Sequence, residues 1–291
     1  MKRNQSFIIL ILIYLFALTV GILVFHQLPI DNIIYKFLIC DVVATIIVWL
    51  FSLIFKNSSV YDPYWSVAPL LMVWLFNKNY SLQNIVLVSV ISFWGIRLTI
   101  NWAVTFKGLA FEDWRYRYYH DRFPKMWPLT NFFGIHLMPT IVVILVIVPA
   151  LTFLQTPIPA NIFTYLVSTL SVIGILLELF ADIQNHRFKA QHPNKTINTG
   201  LWKYTRHPNY LGEMLMWWGV YLMLLSLNVN YYWFFIGPLL NTMMFIFISI
   251  PLMERRQIKN KPDYQEYKQR TNMLIPWFPK ATAPEDDLEN S

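Results

Sequence analysis

The residue types best suited to chemistry gather in one stretch, Gly200-Leu201-Trp202-Lys203-Tyr204-Thr205-Arg206-His207-Pro208-Asn209-Tyr210-Leu211-Gly212-Glu213. Pro208 fits the first turn of a helix, and Asn209 can cap free backbone amides there. With Arg206 and His207 beside that helix start, amide dipoles and side-chain cations converge on a point that favours an anion. Glu213 falls about one turn further in, on the face of Asn209. A carboxylate at that depth needs a partner or a ligand. Interfacial anchoring would account for the Trp, Tyr and Arg, but it does not call for His, Asn and Glu together.

Two further clusters extend the theme. Upstream, Glu178 and Asp182 are spaced i, i+4, so both acids project from one helical face, followed by Gln184, Asn185, His186 and Arg187. Arg187, Lys189 and Arg206 are the cations available to them, either as a salt-bridge network or as the wall of a polar cleft. Downstream, Glu254-Arg255-Arg256 precedes Lys259, Lys261, Tyr264, Tyr267 and Lys268. Basic residues interleaved with tyrosines can hold phosphates while stacking a flat ring. The alternative is an amphipathic helix on anionic headgroups. A third acid, Asp62, stands in Tyr61-Asp62-Pro63-Tyr64-Trp65-Ser66, at the mouth of a short apolar run, where it can orient a substrate or simply begin a turn. The chain has no Gly-rich dinucleotide turn, P-loop, Gly-x-Ser-x-Gly or HExxH, and its six histidines are scattered, so no metal site is expected.

The elements that position these groups are set by composition. Of 291 residues, 56% are hydrophobic and 13% charged, against roughly 25% charged in soluble domains. Runs of about 20 apolar residues cross a bilayer. They occur near 7–25, 33–55, 82–102, 132–153, 163–183, 210–228 and 231–252, with a shorter run at 66–76. The expected fold is therefore all-α, a polytopic transmembrane helix bundle of about eight spans, with seven as the fallback. The first run lacks a small-residue cleavage site and reads as an uncleaved helix. All but Lys36, Lys78 and Arg97 of the 23 Lys and Arg fall in segments 1–6, 56–65, 103–131, 184–209 and 253–291. By the positive-inside rule those segments and both termini face the cytoplasm. The net charge of +7 is then topological and does not point to nucleic acid. Cys40, the single cysteine, excludes a disulfide framework. One membrane-embedded domain over 1–280 is expected, with a disordered acidic tail at 281–291.

The stretch from Glu178 to Glu213, with its Glu-x-x-x-Asp-x-Gln start and its Arg-His-Pro-Asn-Tyr-x-Gly-Glu end, resembles the steroid 5-alpha-reductase C-terminal superfamily. It is most similar to the bacterial members grouped as domain of unknown function 1295. The Asp62-x-x-Trp65-Ser66 and Glu112-Asp113-x-Arg115-Tyr116 segments fit that subgroup, so the likeness covers about residues 60–280. Tyr264-x-x-Tyr267 with Leu274-Ile275-Pro276 fits the wider superfamily. The resemblance implies an NADPH-dependent reductase of a carbon–carbon double bond conjugated to a carbonyl, in a bacterial inner membrane with its site facing the cytoplasm. Its cofactor contacts would be Asp182, Arg187, Trp202, Arg206, His207, Asn209, Tyr210, Glu213, Arg256 and Tyr264. Its substrate would be lipophilic, of sterol, isoprenoid or fatty-acyl kind. Carbonyl polarisation would rest on Asp62. Trp94 stands where steroid reductases carry a tyrosine, so Tyr61 or Tyr64 would take that part.

Membrane methyltransferases of the isoprenylcysteine and phospholipid type share the Arg-His-Pro-x-Tyr-x-Gly motif, and there it binds S-adenosylmethionine. The acids near 178–182 and the basic excess, suited to a 2'-phosphate, favour the reductase. A transporter places its acids near the bilayer midplane, whereas the ionisable residues here cluster at one face.

Overall fold

The computed structural model of the chain describes residues 2–280. The expected tail at 281–291 lies outside the described residues. Every regular element among them is helical: α1 Arg3–Gln27, α2 Ile33–Ile54, α3 Tyr64–Phe76, α4 Leu82–Thr105, α5 Trp114–Arg122, α6 Met138–Gln155, α7 Ile162–Gln191, α8 Pro208–Leu227, α9 Ile236–Met244, α10 Ile250–Asn260 and α11 Tyr264–Arg270, with short turns of helix between them. Among the described residues, seven helical stretches are long and apolar enough to cross a membrane: α1, α2, α4, Pro124–Gln155, α7, α8 and Val229–Asn260. The eighth apolar run becomes α3, of 13 residues. At 1.5 Å per residue it advances about 20 Å, short of the roughly 30 Å hydrocarbon layer.

Two of the seven stretches are long because they run through π-helical segments. Thr130–Leu137 leads into α6 and Phe245–Ser249 leads into α10. Each ends two residues before a proline, Pro139 or Pro251. Proline offers no amide to the preceding turn, and a local widening of the helix accommodates the loss.

The described chain forms two compact units. The first comprises residues 2–161 and Leu224–Gly237; the second comprises Ile162–Met223 and residues 238–280. In the first, Leu10, Ile13 and Ala17 of α1 pack with Ile47 and Val48 of α2 around Val60, Tyr61, Tyr64, Phe106 and Leu109. The polar segment Asn57-Ser58-Ser59 is buried at the edge of this core, which is tolerable only if its polar groups are bonded. They are: Asn57 Nδ2 donates to the Leu109 carbonyl (2.8 Å), Ser58 N to Glu112 Oε1 (2.8 Å), and Asp113 N to Ser59 Oγ (2.8 Å).

In the second unit α7 and α8 approach backbone to backbone. A Cβ on Gly174 would lie 2.5 Å from the Gly212 carbonyl oxygen, and a Cβ on Gly219 would lie 2.7 Å from Ser171 N. Ser171 Oγ donates to the Met216 carbonyl across the same seam (2.9 Å). Small residues drive helix contact in lipid, where apolar bulk gives no preference for a protein neighbour. This seam sets the Glu178 end of α7 beside the start of α8.

Candidate functional site

Downstream of α7 the chain turns back at Gly200, whose φ of +60° suits glycine and whose absent Cβ leaves room for Gln184 Oε1. That oxygen accepts from Leu201 N (2.9 Å), and Trp202 Nε1 donates to the Ala181 carbonyl (3.0 Å). Tyr267 of α11 donates its hydroxyl to the Trp202 carbonyl (2.5 Å). Three chain segments are thereby tied together, and a polar cleft of about 80 Å³ opens among them. Trp202, Arg206, His207, Asn209, Tyr210 and Tyr264 line it, joined by Asn185, Lys189, Thr196, Gln257, Lys261 and Tyr267.

The cations of this cleft are mostly engaged. Glu254, 5% exposed, receives Arg206 Nε at 2.7 Å, Lys268 Nζ at 2.8 Å and His207 Nε2 at 3.2 Å. Arg206 Nη1 also donates to the Lys268 carbonyl (3.0 Å) and to that of Thr271. Lys261 Nζ donates to the Lys195 carbonyl (2.7 Å). Asp263 accepts from Thr196 N and Oγ1 (2.8 and 2.7 Å), and these bonds hold its carboxyl below the usual range against the opposing effect of burial. Burial pushes the His207 imidazole down, although the Glu254 hydrogen bond pulls the other way. The His207 ring lies parallel to that of Tyr210, centroids 5.3 Å apart.

One polar atom is left over. Asn209 Oδ1 is buried and has no hydrogen-bond partner among the described residues. A buried acceptor without a donor costs roughly 1–3 kcal/mol, so a ligand that brings a donor to this point is favoured.

The structure does not bring every expected cofactor residue to the cleft. Glu213 is buried and accepts from Trp217 Nε1 (2.8 Å). Asp182 is half-buried, while Arg187 and Arg256 are exposed; none of the four lines the cleft. Asp62, Tyr61 and Tyr64, expected to polarise a carbonyl, lie in the first unit and turn to different partners. Tyr61 OH is 2.7 Å from Thr140 Oγ1, Tyr64 OH donates to Asp41 Oδ1 (2.6 Å), and Asp62 accepts from Tyr116 OH (2.6 Å) with Arg115 at 3.9 Å. Burial raises the Asp62 carboxyl to about 6, with Arg115 and Tyr116 opposing. The residue that sequence reasoning undervalued is Glu254. It appears within a basic run, and the signal that could have found it is its being the one acid in a span end that carries Arg255, Arg256, Lys259 and Lys261.

The sequence matches the family described as "Protein of unknown function (DUF1295)" over residues 48–271. The chain belongs to the DUF1295 family. Over 119 residues this DUF1295 protein is 36% identical to methanethiol S-methyltransferase 1 of Bradyrhizobium diazoefficiens, covering 38% of each chain. It is 25% identical over 270 residues to an uncharacterized protein of Schizosaccharomyces pombe, covering 79% of this chain and 76% of the relative. No solved structure matches it.

The methyltransferase relative corrects the expectation of an NADPH-dependent oxidoreductase, and NADPH as its cofactor falls with it. The cleft shows the physical reason. Part of the basic excess taken as a counter-charge for a 2'-phosphate is engaged internally: Arg206 and Lys268 share Glu254, and Lys261 is bonded to a backbone carbonyl. A multiply charged dinucleotide phosphate needs free donors, and two of the three Lys and Arg lining this cleft, Arg206 and Lys261, are already engaged.

Proposed function

We propose that this DUF1295 protein is a membrane-embedded methyltransferase that uses S-adenosylmethionine and methylates a thiol. The observation that carries the reading is the likeness to a methanethiol S-methyltransferase, and the chemistry of the second unit's cleft agrees with it. When bound, S-adenosylmethionine supplies an electrophilic methyl group that passes to a nucleophile.

The residues present suit that cofactor. Asn209 Oδ1, buried and unsatisfied, offers an acceptor to an ammonium or a ribose hydroxyl. Lys189 gives a carboxylate one cation at the rim. The Tyr210 and Tyr264 rings provide faces for a flat base or a cationic sulfur. Glu254 fixes Arg206 and His207, and so holds the start of α8 in place. The cleft is smaller than the roughly 300–1,000 Å³ of sites that enclose such molecules, so room for a whole cofactor requires the long side chains of Lys189, Gln257 and Lys261 at its lining to move aside. Lys and Arg crowd the segments around this cleft and are missing from 154–162 and 229–230. With the short α3 carrying the chain across as an eighth crossing, that asymmetry supports a cytoplasmic face for the site and for both termini, in a bacterial inner membrane.

The test is methyl transfer by the purified full chain. With S-adenosylmethionine labelled in its methyl group and methanethiol as acceptor, label should appear in dimethyl sulfide at a rate proportional to protein. No transfer above a protein-free control, to methanethiol or to longer thiols, contradicts the reading.

A further inference from the structure

A cavity of about 450 Å³ in the first unit is walled by α1, α2 and α3. Its lining is mostly apolar, including Ala17, Leu18, Phe37, Ala44, Leu71 and Met72, with His26 and one acid, Asp41, among them. Asp41 is 5% exposed. Its Oδ1 accepts from the Tyr64 hydroxyl, which also lines the cavity, while its Oδ2 is buried with no hydrogen-bond partner among the described residues.

The surroundings hold this carboxyl in place. The Tyr64 ring stacks on that of Tyr61 (5.2 Å, 23°), Tyr61 OH is 2.7 Å from Thr140 Oγ1, and Thr140 Oγ1 is 2.9 Å from Thr45 Oγ1. The acid is thus the end of a buried polar chain, positioned from behind and unsatisfied on one oxygen. A carboxyl within a membrane-spanning helix is costly unless paired, and nothing in the Asp41–Tyr64 pair supplies a second donor. A fluid acyl chain would fill the volume and leave that oxygen unsatisfied. The volume also falls within the roughly 300–1,000 Å³ of small-molecule sites.

We propose that this cavity binds a lipophilic molecule with a compact apolar body and one hydrogen-bond-donating head, an alcohol or an amine, received by Asp41 beside Tyr64. The site belongs to the first unit and is independent of the methyltransferase reading, which rests on the second.

Equilibrium binding of tritiated 1-adamantanamine to the full-length protein in nanodiscs tests it, with 1-adamantanol and adamantane as competitors. The expected result is saturable binding, one site per chain, displaced by unlabelled amine or by the alcohol about tenfold or more better than by adamantane. Displacement by the amine alone assigns an ammonium partner; displacement by both assigns a donor of either kind. Asp41→Asn should weaken amine binding about tenfold or more, and Ala44→Phe, which fills the cavity, should abolish it. Binding no greater than to empty nanodiscs, or equal displacement by adamantane, overturns the proposal. Both of these outcomes are read on the unaltered protein, so they stand even where a variant fails to fold. Retained binding in folded Ala44→Phe also overturns it.

Discussion

At the residue scale, the cleft of the second unit is organised by one buried acid and one unsatisfied amide. Glu254 holds Arg206, His207 and Lys268. Removing one member of a buried pair costs about 3–5 kcal/mol, because the remaining charge stays buried without its counter-ion. Glu254→Gln should therefore lower stability by about that amount, measured as a shift in the denaturant midpoint. Asn209→Ala removes an acceptor that has no partner to lose, so the fold should keep its stability while affinity for S-adenosylhomocysteine falls about tenfold or more. Unchanged affinity with lowered stability would make Asn209 a structural cap. His207 gives a pH signature. Its folded imidazole is held below its ordinary value by burial, so the unfolded chain takes up a proton first. Its stabilising contribution is fully present above about pH 6.5 and is lost as pH falls through the lower folded value. A thermal midpoint followed from pH 8 to pH 5 should drop on the acid side, and the drop should be smaller in His207→Gln. The local motif made Trp202, Arg206, His207, Asn209 and Tyr210 legible together, because one loop and one helix start carry them all. Glu254 was not legible in the same way. It lies 48 residues from Arg206, and no spacing rule links an acid at the end of one span to a cation at the start of another.

At the element scale, the decisive feature of the second unit is the seam between α7 and α8. Gly174 and Gly212 face each other, and a methyl on either would sit 2.5 Å from the other's carbonyl oxygen. Backbone cannot give way as a side-chain end can, and overpacking of this sort costs about 1–3 kcal/mol. Gly174→Ala and Gly212→Ala should each lower the thermal midpoint and weaken cofactor binding, since the seam sets the start of α8. Gly134 is the control, because a Cβ there meets nothing within 4 Å; Gly134→Ala should leave both readouts unchanged. An equal lowering at all three positions would contradict close approach as the cause, because helix propensity alone favours Ala over Gly. The helices themselves were legible from the lengths of the apolar runs, because lipid demands internal hydrogen bonding over a fixed thickness. Hydropathy alone did not decide between a span and a shorter piece at α3, which proves to be a helix of 13 residues. The burial of Asn57-Ser58-Ser59 was illegible, since three polar residues in a row read as a solvated loop until Leu109, Glu112 and Asp113 are seen to bond them.

At the scale of the whole molecule, the charge pattern and the cofactor carry the account. On a Cys40→Ala background, a cysteine at Asn230 should react with a membrane-impermeant maleimide in intact cells. One at Lys203, on the segment that forms the cleft, should react only after the membrane is opened. The reverse pattern would turn the cleft away from cellular S-adenosylmethionine. Net charge misled the choice of cofactor for a related reason: a count of Lys and Arg says where a loop lies, but not whether its cations are free. Glu254 shows that Arg206 and Lys268 are not. The most direct test of the central claim is a calorimetric titration of the purified full chain with S-adenosylhomocysteine and, separately, with NADPH. The account predicts saturable binding of S-adenosylhomocysteine near one per chain, weakened by Asn209→Ala, with no saturable heat from NADPH. Saturable binding of NADPH with none of S-adenosylhomocysteine would contradict it.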